Sequence, residues 1–307
     1  ALARYEGGID MKKFLWLASL VGLLAFGACG DDDDPPAATG DDAADSADDG
    51  ATKGKSEIHE VSFSATEYAY GLAKEIKSGT TEFTMKNDGK ELHIAALAKV
   101  SDGKTFADVT KSFAQPPGTA SGPPPSTEVA GIASTSPGLA SNVTVELEAG
   151  TYYFACFIPS ADGAPHFAKG MIQPFEVVED EAEPADLETA AGKVVAKDFA
   201  YTTDYKAKAG EQVIELTNDG PQDHEITLVE FNAGKGPSDL AAYFEKPDGP
   251  PPATFLGGPV VAKGGRVTWK TPALVAGKSY VFMCLIPDPA DGMPHAAKGM
   301  VLPVSVT

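Results

Sequence analysis

Three side chains in the stretch Tyr152–Met171, YYFACFIPSADGAPHFAKGM, have the types and spacing to hold a metal ion: Cys156, His166 and Met171. The same order returns in Tyr280–Met300, YVFMCLIPDPADGMPHAAKGM, as Cys284, His295 and Met300. Thiolate, imidazole and thioether are the donors that a copper ion selects. Tyr152-x-Phe154-x-Cys156 and Tyr280-x-Phe282-x-Cys284 alternate with the period of a strand, which puts aromatics and Cys on one face. If that face points inward, each thiol is fixed and largely dry. The loop that follows must swing His and Met back to it, and Gly170 or Gly299 permits the tight turn before each Met.

A second imidazole must come from elsewhere, and each copy offers one. His93 and His224 stand six positions after the Asn of an Asn-Asp-Gly turn, at the start of an apolar run. Two imidazoles and a thiolate in a plane, with a weak axial thioether, form the blue-copper arrangement, which passes single electrons. Taken singly, a Cys is usually a small buried hydrophobe, a Met core filler and a His a surface residue. What separates these from that background is the full set, in one order, twice. A Cys156–Cys284 disulfide is the alternative in an oxidising compartment, opposed by thiols that face inward in separate domains. Met293 competes with Met300, but its counterpart is Ala164, so Met300 is preferred. His59 has no partner in the second copy and belongs to the surface or an edge. The sequon at Asn142 carries no weight in a bacterial chain.

The elements around these residues repeat as well. NDGKELHIAAL parallels NDGPQDHEITL, and helix-like segments follow at Thr105–Phe113 and Ser238–Lys246, the second capped around Pro237 and Ser238. Both run into Pro-rich loops. Apolar alternation predicts strands at Ile58–Phe63, Thr81–Met85, Leu92–Leu97 and Val143–Leu147, then at Val194–Phe199, Gln212–Thr217, Glu225–Val229 and Arg266–Trp269. The expected fold class is all-β: two tandem Greek-key β-sandwich domains, residues 56–180 and 190–307, each with a short helical insertion. An acidic linker, residues 181–189, would join them.

These motifs resemble the cupredoxin family of plastocyanin and pseudoazurin: an early His after an Asn-x-Gly turn, then Y-x-F-x-C, a Pro-His pair (Pro165-His166, Pro294-His295) and Gly-Met. The resemblance implies copper-ligand roles for His93, Cys156, His166 and Met171, and for His224, Cys284, His295 and Met300. It implies up to two type 1 copper ions per chain and an electron-transfer function. Two departures stand out. Nine and ten residues separate Cys from His, where plastocyanin-like loops have two, a length nearer that of copper nitrite reductases. The family's bracing Asn after the first His is replaced by Ile94 and Glu225. Of five His, four are used. A multicopper oxidase or nitrite reductase needs several more, so the expectation is a protein that is not an enzyme. Copper buffering or delivery, and a metal-free interaction module, are the other functions in view.

The chain is acidic, with 44 Asp and Glu against 24 Lys and Arg. Nine Asp lie in residues 31–50 and six carboxylates in Glu179–Glu188, so the folded parts carry little of the charge. No basic stripe exists to neutralise phosphates, which argues against nucleic acid as a partner. From Met11, MKKFLWLASLVGLLAFGACG reads as a bacterial signal peptide, too short in its apolar run to span a bilayer comfortably. Its end, Phe26-Gly27-Ala28-Cys29, resembles a lipobox, so residues 11–29 are expected to be a lipoprotein signal with Cys29 lipidated. Residues 30–55, without large apolar side chains, are expected to be a disordered tether. The expected location is outside the cytoplasm, lipid-anchored on the outer side of the cytoplasmic membrane or in the periplasm or outer membrane. The redox partner is not named by the sequence.

Overall fold

The computed structural model describes residues 57–115, 122–246 and 248–307. Cys29, the signal segment 11–29 and the whole tether 30–55 lie outside them. The described residues are built from short strands with two short helices, as the alternating runs require.

In the first half, one layer orders the strands Ala69–Tyr70, His59–Thr66, Gly79–Asn87 and Ala140–Leu147. The facing layer orders Ser126–Thr135, His93–Val100, Gly150–Ala155, Ile172–Val178 and Glu75–Lys77. Alternate residues of both layers fill the space between them: Phe63, Phe83, Met85, Val143, Val145, Tyr152, Phe154 and Phe175 are buried together. Each such side chain contributes about 1.5–3 kcal/mol by leaving water. Tyr153 and Ala155, on the opposite face of the Tyr152 strand, pack instead under helix α1, Phe106–Phe113. Thr105 caps α1 in a reciprocal box with Asp108, worth about 1 kcal/mol.

The second half follows the same plan, with Lys193–Lys197, Val213–Asn218 and Arg266–Lys270 in one layer and Thr227–Phe231, Ser279–Met283 and Val301–Ser305 in the other. Three details differ from the sequence-based expectations. Val194–Phe199 stops as a strand at Lys197, because Asp198 and Phe199 form the turn into Ala200–Thr203. Glu225–Val229 is broken at Ile226, where the chain passes from pairing with Pro259–Val261 to pairing with Ala253–Phe255 and Ser279–Met283. Helix α2 spans Pro237–Glu245, with Pro237 at its first turn and Gly236 as the cap, one residue earlier than expected. Pro suits that place because its missing N–H would have no partner there.

The halves share their sheets. Pro259–Val261 pairs antiparallel with Ile132–Ala130, and Thr144 faces Thr268 in the other layer. Asn142 seals that seam by exchanging two 2.9 Å hydrogen bonds with the main chain of Lys270. One buried apolar cluster runs through both halves.

Candidate metal centres

Cys156 and Cys284 end the inward-facing rows of their strands and are completely buried. They are free thiols in separate halves. The long loops after them return by folding into small hairpins. Pro159 bridges Pro165 and Pro287 bridges Pro294, so most of the extra residues are spent in the turn between. The amide of His166 then bonds Ile158 O at 2.9 Å and that of Phe167 bonds Cys156 O at 2.8 Å. In the second loop His295 N bonds Ile286 O at 2.9 Å and Ala296 N bonds Cys284 O at 2.7 Å. A single 3-10 turn follows each His. It closes at Gly170 (φ 111°) and Gly299 (φ 109°), a backbone region that a Cβ would strain. Cys156 N then donates to Met171 O at 3.1 Å, and Cys284 N to Met300 O at 3.2 Å. Both methionines are fully buried. Met293 sits half-buried in its hairpin turn, outside the core cluster.

The distant histidines arrive at the same points. Cys156 Sγ lies 3.4 Å from His166 Nδ1 and 3.9 Å from His93 Nδ1, and the two Nδ1 atoms are 3.2 Å apart. In the second set the distances are 3.4 Å to His295, 3.9 Å to His224 and 3.1 Å between the imidazoles. Among the described residues these are the two groups of such side chains close enough to share an ion. His59 joins neither; its Nε2 faces Ser78 O at 3.2 Å and Asp180 at 3.6 Å.

The Asn-Asp-Gly turns hold the early histidines. Asn87, buried, donates to Glu91 O and Thr135 O and accepts from Gly89 N; Asn218 does the same with Gln222 O, Val261 O and Gly220 N. The glycine is required. A Cβ at Gly89 would lie 2.6 Å from His93 Nε2, and one at Gly220 2.8 Å from His224 Nε2.

The outward nitrogens are set by residues that the sequence did not single out. His166 Nε2 donates to Glu91 at 2.7 Å, His224 Nε2 to Asp198 at 2.7 Å and His295 Nε2 to Gln222 at 3.2 Å. A proton used outward leaves the Nδ1 lone pair facing the centre, the tautomer a metal ligand needs. Glu67 Oε1 lies 3.5 Å from His93 Nε2 without a hydrogen bond, and that nitrogen is buried and unpartnered. Glu67 spends its oxygen on the amides of Lys90 and Glu91. Glu225, in the bracing place, accepts from Leu285 N at 2.8 Å and Thr227 Oγ1 at 3.0 Å, tying the Cys284 loop to the His224 strand. Ile94 cannot do this in the first half. The one signal in the sequence for these partners was a polar residue two places before each early His.

Burial dominates the ionisation. It lowers the pKa of His93, with neighbouring His166 adding to it, and also lowers those of His166 and His224. It takes His295, beside His224, to about 4. It pushes the Cys156 thiol up to about 11 and the Cys284 thiol well above its ordinary value. Each centre is therefore a neutral set of donors. A cation entering it would displace the thiol proton and be held by the thiolate so formed.

No protein-family model matches the chain, and no curated protein matches it. Solved structures do. Reduced auracyanin from Roseiflexus castenholzii is 24% identical over 41% of this chain and 99% of its own, with a TM-score of 0.27. A multicopper oxidase is 14% identical over 83% of this chain and 93% of its own, with a TM-score of 0.26. The copper nitrite reductase from Nitrosomonas europaea is 15% identical over 82% and 94%, with a TM-score of 0.24. The expectation that the chain is not an enzyme does not stand, because the last two, alike over about four-fifths of this chain, are enzymes by name and leave enzyme activity open. Counting histidines excludes only centres built wholly from imidazoles of one chain, and a fold does not fix the reaction its sites perform. The fold itself is all-β, of short strands in facing layers.

Proposed function

We propose that the chain binds up to two copper ions in type 1 sites, one per tandem repeat, and carries electrons between partners outside the cytoplasm. The first site comprises His93, Cys156, His166 and Met171, the second His224, Cys284, His295 and Met300. The observation that carries this reading is the convergence, twice, of one Sγ and two Nδ1 atoms within 3.1–3.9 Å of each other, all buried. Bound copper would supply a one-electron couple. The chain's own contribution is to hold the two imidazoles neutral, exclude water and fix the thiolate at the end of a rigid strand, so that little has to move when the charge changes. Met171 and Met300 are the weak axial donors in this reading. Signal cleavage and acylation at Cys29 would tether the two domains to a membrane through the acidic segment 30–55.

Copper delivery would require the ligands to be handed to another protein. Imidazoles and thiols that are wholly buried favour a retained ion instead. Cyclic voltammetry of the copper-loaded chain separates the two roles. A reversible one-electron response that survives repeated cycling is expected; tight binding of copper without such a response would contradict electron transfer.

A further inference from the structure

The two centres share a carboxylate near the early histidine, Glu67 beside His93 and Asp198 on His224. They differ at the loop histidine. His166 Nε2 donates to the carboxylate of Glu91 at 2.7 Å, whereas His295 Nε2 donates to the neutral amide oxygen of Gln222 at 3.2 Å. The two residues occupy matching places, each two before the early His and each held by the Asn of the preceding turn through its main-chain oxygen. From this we infer that Glu91 and Gln222 are the residues that set the reduction potential of each centre separately, Glu91 holding the first down and Gln222 leaving the second up. The inference rests on the copper reading above.

Reduction, Cu(II) plus one electron to Cu(I), lowers the charge of the centre by one and transfers no atom. A carboxylate bonded to the far side of a ligand imidazole favours the more positive, oxidised state. A charged hydrogen bond also polarises the ring, making Nδ1 a stronger donor to the harder ion. An amide does neither to the same degree. Glu91 is about a third exposed (36%), so solvent screens part of its charge. The effect expected is roughly tenfold in the redox equilibrium constant, or about 59 mV for a one-electron couple. Glu91 and Gln222 are positioning residues, acting through the imidazole. Glu225 lies beside Cys284, and Asp198 bonds His224 at 2.7 Å where Glu67 makes no hydrogen bond to His93, so each centre's own shift is compared and not the difference between them.

The test uses the full chain with one centre removed. Cys284→Ser leaves the first centre and Cys156→Ser the second, and each is loaded with copper and titrated with redox mediators. In the first, Glu91→Gln should raise the potential so that the reduced-to-oxidised ratio at a fixed solution potential rises about tenfold. In the second, Gln222→Glu should lower it by a similar factor. Glu91→Ala, which removes both charge and bond, should raise the first centre at least as far and is read if the Gln variant does not fold. A shift under about twofold in either centre, or one of the wrong sign, overturns the inference while leaving the copper reading intact. Failure of both single-centre chains to bind copper overturns the two together.

Discussion

The loop after Cys156 carries Phe157 and Phe167 where the loop after Cys284 carries Leu285 and Ala296. Around the first, an aromatic cluster packs under α1 on the outer face of the Tyr152 strand. Phe167 lies 4.9 Å from Phe113 and 5.4 Å from Phe157, and Phe113 reaches Tyr153 at 6.2 Å between ring centroids. Around the second, Leu240, Phe255 and Met283 belong to a cluster with fewer aromatic rings, and Leu92, the neighbour of His93 in the first half, packs onto it. The first loop packs against its own helix and rings, the second partly against a side chain from across the seam. Yet the donor distances agree to 0.1 Å. The centre is thus fixed by the strand ends, the Asn-Asp-Gly turn and the loop's main-chain bonds, while the packing outside is free to differ.

Truncating that packing should separate the halves most. Phe167→Ala empties a buried ring site and should lower stability by about 3 kcal/mol or more, seen as a shift of the urea midpoint. Ala296→Gly, its counterpart, should have a much smaller effect. Equal losses would show that the aromatic cluster does not support the first loop more than its counterpart supports the second.

A second difference is sensitive to pH. Burial holds Glu225 protonated up to about 7, against 4.5 for the ordinary group. Between these values the unfolded chain ionises this carboxyl and the folded chain does not, so the folded state binds more protons and stability falls as pH rises. The swing is about 3 kcal/mol for this group. Glu225→Gln keeps the oxygen that accepts from Leu285 and Thr227 but removes the titration. Relative to the wild type, the copper-free variant should gain stability steadily from pH 4.5 to 7 in denaturant titrations. A constant offset over that range would contradict the assignment. Ile94, in the matching place of the first half, adds no such dependence; there burial raises Glu128 instead, to about 8.

Gly220→Ala should bring a Cβ against Asp198 and His224 and lower stability by about 2 kcal/mol, with reduced copper affinity in that centre alone. Gly89→Ala should do the same to the first. Smallest should be Asn142→Ala, which leaves two groups of Lys270 without partners at the seam, about 1–2 kcal/mol, with both centres still loaded. Loss of copper from either centre in that variant would make the seam part of the site.

Much of this was legible from residue types. Phe154 and Cys156 alternate into the core as the strand period demands, and Thr105 and Pro237 mark real helix starts. The order of His, Cys and His picked out the two groups of side chains that the fold brings together. The return of the long loops was not legible, because it depends on the Pro159–Pro165 and Pro287–Pro294 bridges, which are set by main-chain closure. Nor were Glu67 and Asp198: each stands 26 residues before its histidine, on a turn whose approach depends on how the first two strands stack. The seam was hidden for a similar reason. Thr144 and Thr268 read as ordinary strand residues, and nothing in an alternating pattern says that two edges will meet.

The claim that both halves hold copper through their cysteines is tested most directly by metal content and visible absorption of the full chain after copper loading. Two copper ions per chain are expected, with an intense blue thiolate-to-copper band. That band should fall by about half, with loss of one ion, in Cys156→Ser or Cys284→Ser, and vanish in the double variant. A colourless loaded protein, or a band indifferent to either cysteine, would contradict the account.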